Sequence, residues 1–365
     1  MITRIYIDNF RCFVNFEWKP GKLALLLGDN GAGKTSLLDV LWRLRRFVLE
    51  ERDARELFVS QDLTAWETRT DQTFEVDVAL AGAVLRYRLV LRHEKKATLV
   101  THESLHEDAT PVATLTDGEL HFHKASSEPL TMKWRPIRSA LPVVIGAADD
   151  GPAQAFADFM HNLWLVAPDP RAMVSPRDTS QDKLHTDCSN FAPWLRTVTA
   201  ESPEEVTRAR QALLPIMGLR SLQTPRSLAR LVAGFEVADV KYSLDFDQLS
   251  DGQRQLITLY VLRHVVCLPG RLVIFDEPDN YVALREIQPW LTEIIDLALS
   301  PEGPQVWLVS HHPEVLNQLA REYGHQLVRP NSGPVRIETF PEPDGRDLVA
   351  AAHQAARRST GVAQA

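Results

Sequence analysis

The chain has 365 residues, of which 44% are hydrophobic and 24% charged, with a formal net charge of −8 at pH 7. These values are typical of a soluble globular protein with two domains, or with one domain and an insertion. The acidic balance argues against a dominant electrostatic attraction to nucleic acid or to an anionic membrane, although a local basic patch stays open. The sequence shows no apolar run long enough to cross a bilayer and no leader pattern, so we expect a cytoplasmic protein without a membrane partner.

The first elements alternate between strand and helix patterns. Residues 2–18 alternate in polarity and predict two edge strands around a turn at Asp8-Asn9. The apolar run over 23–27 predicts a buried strand. Apolar residues at helical spacing after Thr35 predict a helix that extends to about Leu57.

Between this strand and this helix lies a glycine-rich loop, residues 28–35, that matches the phosphate-binding pattern G-x-x-x-x-G-K-T. Glycines permit backbone angles that turn successive N–H groups toward a phosphate, and the helix N-terminus adds a partial positive charge. Lys34 supplies a point charge for β- and γ-phosphates, and Thr35 supplies a hydroxyl ligand for Mg²⁺. Strand, loop and helix together predict a site for the phosphates of a nucleotide.

The middle of the chain changes character twice. Residues 74–123 alternate in polarity around Ala81-Gly82, which predicts a hairpin within an antiparallel β lobe. From about residue 150 the pattern is helical, with an apolar stripe over 156–164. Ser202-Pro203-Glu204-Glu205 predicts a capping box that opens a helix ending near Gly218.

Residues 230–246 then predict two further strands before a second set of motifs begins. We therefore expect four regions: 1–150 and 246–345 as the two parts of one head, 151–245 as a helical and β insert, and 346–365 as a tail.

The second set of motifs carries polar residues at the boundaries of predicted elements. Leu-Ser-Asp-Gly-Gln, residues 249–253, precedes an apolar helix. The apolar run over 272–275 ends in Asp276 and Glu277. At the carboxyl end of a parallel strand, the first acid can hold Mg²⁺ through its water shell, and the second can orient and deprotonate an attacking water.

A further apolar run over 306–309 is followed by Ser310, His311 and His312. A histidine at the end of a neighbouring strand can donate a hydrogen bond to a γ-phosphate, and it titrates near neutrality. Because the three strands would end at one edge of a sheet, we expect their motifs to converge on one nucleotide.

The order of these segments resembles the ABC-type ATPases. In that family the loop at 28–35 is Walker A, residues 249–253 are the signature, residues 272–277 are Walker B, and Asp279 lies in the D-loop. The register of the family motif favours His311 as the switch histidine, with His312 as the rival. The resemblance implies ATP and Mg²⁺ as ligands and the following roles: nucleotide binding by Asn30, Gly31, Gly33, Lys34, Thr35 and Ser36, metal binding by Thr35 and Asp276, catalysis by Glu277 and His311, and signature contacts in trans by Ser250, Gly252 and Gln253.

The start of the chain narrows the branch of the family. Ile7-Asp8-Asn9-Phe10-Arg11-Cys12-Phe13 is similar to the N-F-R-x-F start of RecF, SMC and OLD ATPases. Within this group the chain most resembles the small single-head bacterial "AAA family" ATPases, which are ABC-type in structure. By this resemblance Arg11 is a further nucleotide contact, with a surface salt bridge as the alternative. Gly33 and Ser250 lie 217 residues apart, which is wider than in transporter cassettes.

Three features depart from the family pattern. The insert shows no sustained heptads, which sets the chain apart from SMC proteins with long coiled coils. The β lobe is followed by no convincing Q-loop glutamine, so that role stays open. Asp251 stands where many cassettes have glycine, although Ser250 and Gly252 are kept.

The resemblance implies an α/β fold, a P-loop NTPase of ABC-ATPase type with a mixed sheet core, an antiparallel β lobe and a helical insert. It implies a Mg²⁺-dependent ATP hydrolase whose ATP-bound heads form head-to-tail homodimers that serve DNA repair, genome maintenance or phage defence.

The alternatives are a slow nucleotide-gated module that switches a partner effector protein and, less favoured, a transporter cassette. DNA and a nuclease or toxin encoded nearby are candidate partners. The basic stretches 43–46, 92–96 and 133–138 are candidate DNA contacts, although solvated faces are the favoured interpretation of all three.

Overall fold

The computed structural model divides into two compact units, one formed by Met1–Leu163 with Ala320–Ala365 and the other by Trp164–Leu319. Within the described part of the chain, no helix combines the length and the apolar composition needed to cross a bilayer. The four-region division expected from the sequence stays a prediction. The structure describes residues 1–95, 97–122, 130–147, 151–174, 181–224, 230–311, 313–330 and 333–340.

Strands and helices are numbered along the whole chain. The strands are β1 (Ile2–Asp8), β2 (Phe16–Trp18), β3 (Leu23–Gly28), β4 (Asp71–Leu80), β5 (Ala83–His93), β6 (Thr98–Glu107), β7 (Thr110–Thr116), β8 (Glu119–Phe122), β9 (Leu130–Lys133), β10 (Leu163–Val166), β11 (Leu219–Gln223), β12 (Val232–Val237), β13 (Val240–Asp245), β14 (Leu272–Asp276), β15 (Gln305–Val309), β16 (Gly324–Val328) and β17 (Arg336–Thr339). The α-helices are α1 (Lys34–Leu49), α2 (Ala54–Leu57), α3 (Leu141–Ala147), α4 (Pro152–His161), α5 (Phe191–Glu201), α6 (Pro203–Met217), α7 (Asp251–Val265), α8 (Leu284–Leu299) and α9 (Pro313–Tyr323).

The first unit contains the predicted antiparallel lobe, a sheet in the order β2-β1-β4-β5-β6-β7-β8-β9. The predicted hairpin is confirmed: β4 and β5 pair antiparallel around Ala81 and Gly82, which have φ of 48° and 89°. Two consecutive left-handed residues suit a tight hairpin turn that follows the twist of the strands. The prediction of two edge strands is half wrong, because β1 pairs with both β2 and β4 and so lies inside the sheet. The turn between β1 and β2 is also longer than the expected Asp8-Asn9.

The strand and helix around the glycine loop also belong to the first unit. All six residues of β3 are buried, and β3 pairs in parallel with β16, which pairs antiparallel with β17. The helix after the loop is shorter than predicted, since α1 ends at Leu49 and a separate turn, α2, covers 54–57. Glu51 has φ of 49°, a left-handed conformation that cannot continue a right-handed helix.

The second unit surrounds a parallel strand pair with helices. β14 and β15 pair in parallel, and the rings of Phe275 and Trp290 of α8 meet edge to face at 5.1 Å between centroids. The Trp290 Nε1–H donates to the carbonyl of Leu259 in α7 at 3.1 Å, so the ring joins two helices to the strand. The antiparallel sheet β11-β12-β13 includes the two strands predicted over 230–246.

Two predictions for the insert need correction. The apolar stripe over 156–164 does not form one helix, because α4 ends at His161 and Leu163-Trp164 belong to strand β10. The helix predicted from Ser202 does begin at Pro203, and Gly218 ends it with φ of 73°. The predicted capping box is wrong, however, because the Ser202 side chain makes no capping hydrogen bond. Proline at the first helical position accounts for the start of α6 without it.

Candidate nucleotide-binding and catalytic site

The glycine loop has the backbone conformation that its sequence predicts. Gly31 and Gly33 have φ of 82° and 104°, values that side-chain-bearing residues rarely adopt. At Gly33 there is no room for a side chain either, since a Cβ there would lie 2.9 Å from the Cys12 sulphur. The β1–β2 turn therefore packs directly beneath the loop. Burial raises the pKa of the Cys12 thiol, to which the Ser36 side chain is hydrogen-bonded.

The entry to α1 is built to receive an anion. Gly33 is its N-cap and makes no side-chain capping bond, and the first turn of the helix contains no acidic residue. Lys34 is the first helical residue, and its ammonium group donates to the carbonyls of Gly28 and, at 3.2 Å, of Asp29. Asn30, Gly31 and Thr35 are exposed. Backbone donors at a helix N-terminus, a nearby cation and an exposed loop fit the phosphates of a nucleotide.

Arg11 lies at the same end of the first unit, where it belongs to an ion-pair network. Its guanidinium is 2.9 Å from the Asp39 carboxylate on α1 and donates to Asp62 at 2.8 Å. Arg43 pairs with the same two carboxylates. Burial acts to raise the pKa of Asp62, but the hydrogen bonds from the two arginines prevail and lower it. The Arg11 side chain is 34% exposed, and its contact with a nucleotide stays a prediction.

In the second unit, the acidic and histidine motifs meet at one edge of the strand pair. Asp276 is in register with Val309, the last residue of β15, and the Glu277 N–H donates to the Val309 carbonyl at 2.8 Å. Ser310 is fully buried and His311 is exposed just beyond this strand end. The structure thus brings Asp276, Glu277 and His311 to the carboxyl ends of adjacent parallel strands. His312 lies outside the described residues, so the choice of His311 stays a prediction.

Residues 277–281, which begin at the last residue of Walker B, form a tight turn that we call the acid turn. Glu277 and Tyr281 adopt left-handed conformations with φ of 50° and 69°. The Asn280 N–H donates to the Glu277 carbonyl at 3.2 Å, and the Asn280 side-chain amide donates to the Glu277 carboxylate at 2.7 Å. Asp279, the predicted D-loop residue, is buried within this turn. Glu277 itself is exposed.

The signature forms the start of α7, as the sequence predicts. Ser250 is the N-cap and accepts from the Gln253 N–H at 3.3 Å, while the Gln253 side chain accepts from the Ser250 N–H at 3.0 Å. Asp251 lies 3.0 Å from Arg254 and 3.3 Å from Arg171. The acid that replaces glycine in this signature is therefore neutralised by two neighbouring arginines.

The signature helix packs directly on the acid turn. A Cβ at Gly252 would lie 2.8 Å from the Tyr281 carbonyl, so only glycine allows this approach. The buried Gln255 side-chain amide donates to the Pro278 carbonyl at 2.9 Å. Arg171 lies over the exposed Tyr281 ring, 5.0 Å from its centroid. These contacts place Ser250, Gly252 and Gln253 beside the D-loop within one unit.

Three residues at this site were missed by sequence reasoning: Asn280, Gln255 and Arg171. Asn280 directly follows Asp279 and Gln255 lies two residues after the signature, so their closeness in sequence to motif residues was the available signal. Arg171 lies 80 residues before Asp251, and no pattern in the sequence joins the two.

The chemistry of the predicted metal ligands suits Mg²⁺. The Thr35 hydroxyl is exposed in the first turn of α1, and the Asp276 carboxylate ends β14 with partial exposure. Hydroxyl and carboxylate oxygens are the hard donors that Mg²⁺ prefers, and Mg²⁺ commonly binds through one or two such groups together with substrate phosphates and water.

Comparison with known proteins bears on the fold and the family of the chain. A stretch of 104 residues is 33% identical to "ABC transporter G family member 11" of Dictyostelium discoideum, covering 26% of this chain and 7% of that protein, so the chain spans a small part of that relative's length. The SMC head domain from Thermotoga maritima has a similar structure, with a TM-score of 0.50 at 11% identity over 93% of this chain and 99% of that one. The fold is therefore the P-loop fold of ABC-type ATPases, with the mixed α/β architecture predicted.

The family comparison covers most of the chain. Residues 23–317 match the family model described as "AAA domain, putative AbiEii toxin, Type IV TA system". This range includes every motif from Walker A to the histidines at 311–312. The chain belongs to this family of AAA-domain, ATPase-type proteins.

Proposed function

We propose that the chain is a Mg²⁺-dependent enzyme that hydrolyses ATP to ADP and phosphate. The observation that carries this proposal is the placement of Glu277 beside Asp276 and His311 at the carboxyl ends of β14 and β15. A carboxylate at such a position supplies the base that hydrolysis requires. Membership of an ATPase-type family and the Walker A conformation support ATP as the substrate.

The proposed roles follow from the donors that each residue presents. Lys34 and the backbone N–H groups of Asn30, Gly31 and Gly33 hold the phosphates of ATP, with Ser36 in support. Thr35 and Asp276 hold Mg²⁺, which when bound supplies positive charge to the β- and γ-phosphates. Glu277 accepts a proton from the attacking water, and His311 donates a hydrogen bond to the γ-phosphate. Arg11, whose guanidinium also pairs with Asp39 and Asp62, adds a contact to the nucleotide.

We further propose that two chains pair head to tail when ATP is bound. Ser250 is exposed at the N-terminus of α7, and in the ABC-type arrangement it faces the γ-phosphate held by a second copy. Nucleotide bound by both chains favours the pair by linkage. The signature residues Gly252 and Gln253 lie next to Ser250, and Gly252 lies against the Tyr281 carbonyl of the turn that contains Asp279, so the proposed interface would adjoin this turn.

The biological process is proposed from the comparisons. The matched family's description names a toxin and a type IV toxin–antitoxin system, which favours phage defence with an effector partner over DNA repair. The basic stretches offer less support for DNA, because Arg43, Arg92 and Arg138 are each paired with an aspartate. Salt-bridged arginines contribute less to phosphate binding than unpaired ones.

The decisive test is the Glu277→Gln variant. It should still bind ATP and Mg²⁺ and hydrolyse ATP about 10²–10⁴ times more slowly, the usual contribution of a general base. Glu302→Gln, a change of the same kind at an exposed glutamate in the turn after α8, serves as the matched control and should hydrolyse normally. Wild-type turnover by Glu277→Gln would refute the proposed base. A wild-type rate already as low as that of the variant would favour the slow nucleotide-gated module.

A further inference from the structure

The acid turn, residues 277–281, is held in an unfavourable backbone conformation. Both Glu277 and Tyr281 have positive φ, which non-glycine residues adopt only where the surrounding contacts impose it. Such a conformation at the proposed base is itself a sign that the direction of this side chain matters. The contacts that impose it identify the residues on which that direction depends.

Contacts from three sides fix the backbone of this turn. The Glu277 N–H donates to Val309 on β15 at 2.8 Å, and the Pro278 carbonyl accepts from Gln255 of α7 at 2.9 Å. The Tyr281 carbonyl lies against Gly252, where a Cβ would come within 2.8 Å. Strand and signature helix therefore fix where the turn begins and ends. None of these three contacts fixes the carboxylate of Glu277.

The carboxylate is instead engaged by Asn280. Its side-chain Nδ2–H donates to Glu277 Oε2 at 2.7 Å, a length typical of a bond to an ionised acceptor. Both side chains are exposed, so burial does not force them together. The backbone hydrogen bond from the Asn280 N–H to the Glu277 carbonyl at 3.2 Å closes the turn. It thereby brings the Asn280 side-chain amide close to the Glu277 carboxylate. The bond holds one carboxylate oxygen and limits rotation of the group.

We propose that Asn280 is a positioning residue that orients the carboxylate of Glu277 for its role as general base. This inference rests on the proposed function, because it assumes that Glu277 is the base. Asn280 does not touch the substrate in this account. Its hydrogen bond to Oε2 of Glu277 keeps the other carboxylate oxygen directed toward the attacking water. Without this bond the Glu277 side chain samples several rotamers.

The test compares Asn280→Ala, which removes the donor, with Asn280→Gln, which keeps an amide on a longer side chain. Asn280→Ala should lower kcat about 10-fold, in the range expected for loss of a supporting hydrogen bond, with unchanged ATP affinity and KM. Asn280→Gln should retain part of the lost activity. Asn317→Ala, at an exposed position of α9, is the matched control and should behave as wild type.

Two readouts separate positioning from a general structural effect. In the Glu277→Gln background, adding Asn280→Ala should change the residual rate less than twofold, because a residue acting through the base has nothing left to orient. In the nucleotide-free protein, amide hydrogen exchange over 277–282 should be unchanged in Asn280→Ala and in Asn317→Ala, because the backbone contacts of the turn are kept in both variants.

Several results would overturn the inference. A wild-type kcat for Asn280→Ala, an equal loss in both backgrounds, a loss of ATP affinity or faster exchange over 277–282 would each do so. Failure of the proposed function is distinguishable, because Glu277→Gln alone would then hydrolyse ATP at the wild-type rate.

Discussion

The N-termini of α1 and α7 carry the two motifs that would face phosphate, and they are built in opposite ways. At α1 the N-cap is Gly33, which contributes no side-chain bond, and the first turn has no acid. At α7 the N-cap Ser250 and Gln253 satisfy each other, and Asp251 places a negative charge in the first turn. The backbone N–H groups in the first turn of α1 are left for a ligand, whereas in α7 the Ser250 side chain already accepts a hydrogen bond from one of them.

This difference indicates which of the two helices should contribute more to the affinity for ATP. A helix N-terminus without a capping side chain and next to Lys34 can hold the phosphates tightly. A capped N-terminus with a neutralised acid has less to offer a lone phosphate. Affinity should therefore depend on the first helix, and the second should matter only when two chains meet around the nucleotide.

The largest effect is expected at the uncapped helix. Lys34→Ala should weaken ATP binding at least about 100-fold, because the phosphate loses its nearest cation while the backbone of the loop is kept. Isothermal titration with ATP measures the affinity, and thermal unfolding checks that the protein is folded. Lys19→Ala, which removes an exposed lysine paired with Glu17, is the control and should bind normally. Normal affinity in a folded Lys34→Ala protein would show that the loop is not the binding site.

A smaller effect is expected at Arg11. Arg11→Ala should weaken ATP binding about 3- to 10-fold, as suits a partly exposed arginine that also serves two carboxylates. Arg43→Ala is the matched control, because Arg43 pairs with the same Asp39 and Asp62 and is not assigned to the nucleotide. Equal ATP affinities of the two variants would show that Arg11 serves as a structural ion-pair partner and does not contact the nucleotide.

The sequence was sufficient for the motifs and for the elements that present them. Walker A at α1, the acids at the end of β14 and the signature at α7 all lie where spacing and apolar pattern predict, because these signals are local. The helix to Leu57 was overextended, since the left-handed Glu51 has no distinctive sequence signal. The Ser202 capping box failed for a similar reason: the pattern specifies partners, and the local geometry decides whether they meet.

Contacts between motifs could not be predicted in the same way. Gln255 bonds to Pro278 and Arg171 to Asp251 only because helices and loops far apart in sequence pack together. Asn280 is close to Glu277 in sequence, but its bond depends on a positive φ that a glutamate rarely adopts. Tertiary packing, which a single sequence does not display, determines these positions.

The most direct test of the account is sedimentation of Glu277→Gln and of the double variant with Ser250→Arg, with and without Mg²⁺-ATP. The account predicts that Glu277→Gln becomes a tight dimer with Mg²⁺-ATP and is monomeric, or a looser dimer, without it. The double variant should bind ATP at α1 with normal affinity and yet fail to form the tight dimer, because arginine replaces the exposed serine that faces the second chain. A tight ATP-dependent dimer that persists with Ser250→Arg, together with full ATPase activity of the Ser250→Arg single variant, would contradict the proposed head-to-tail pairing.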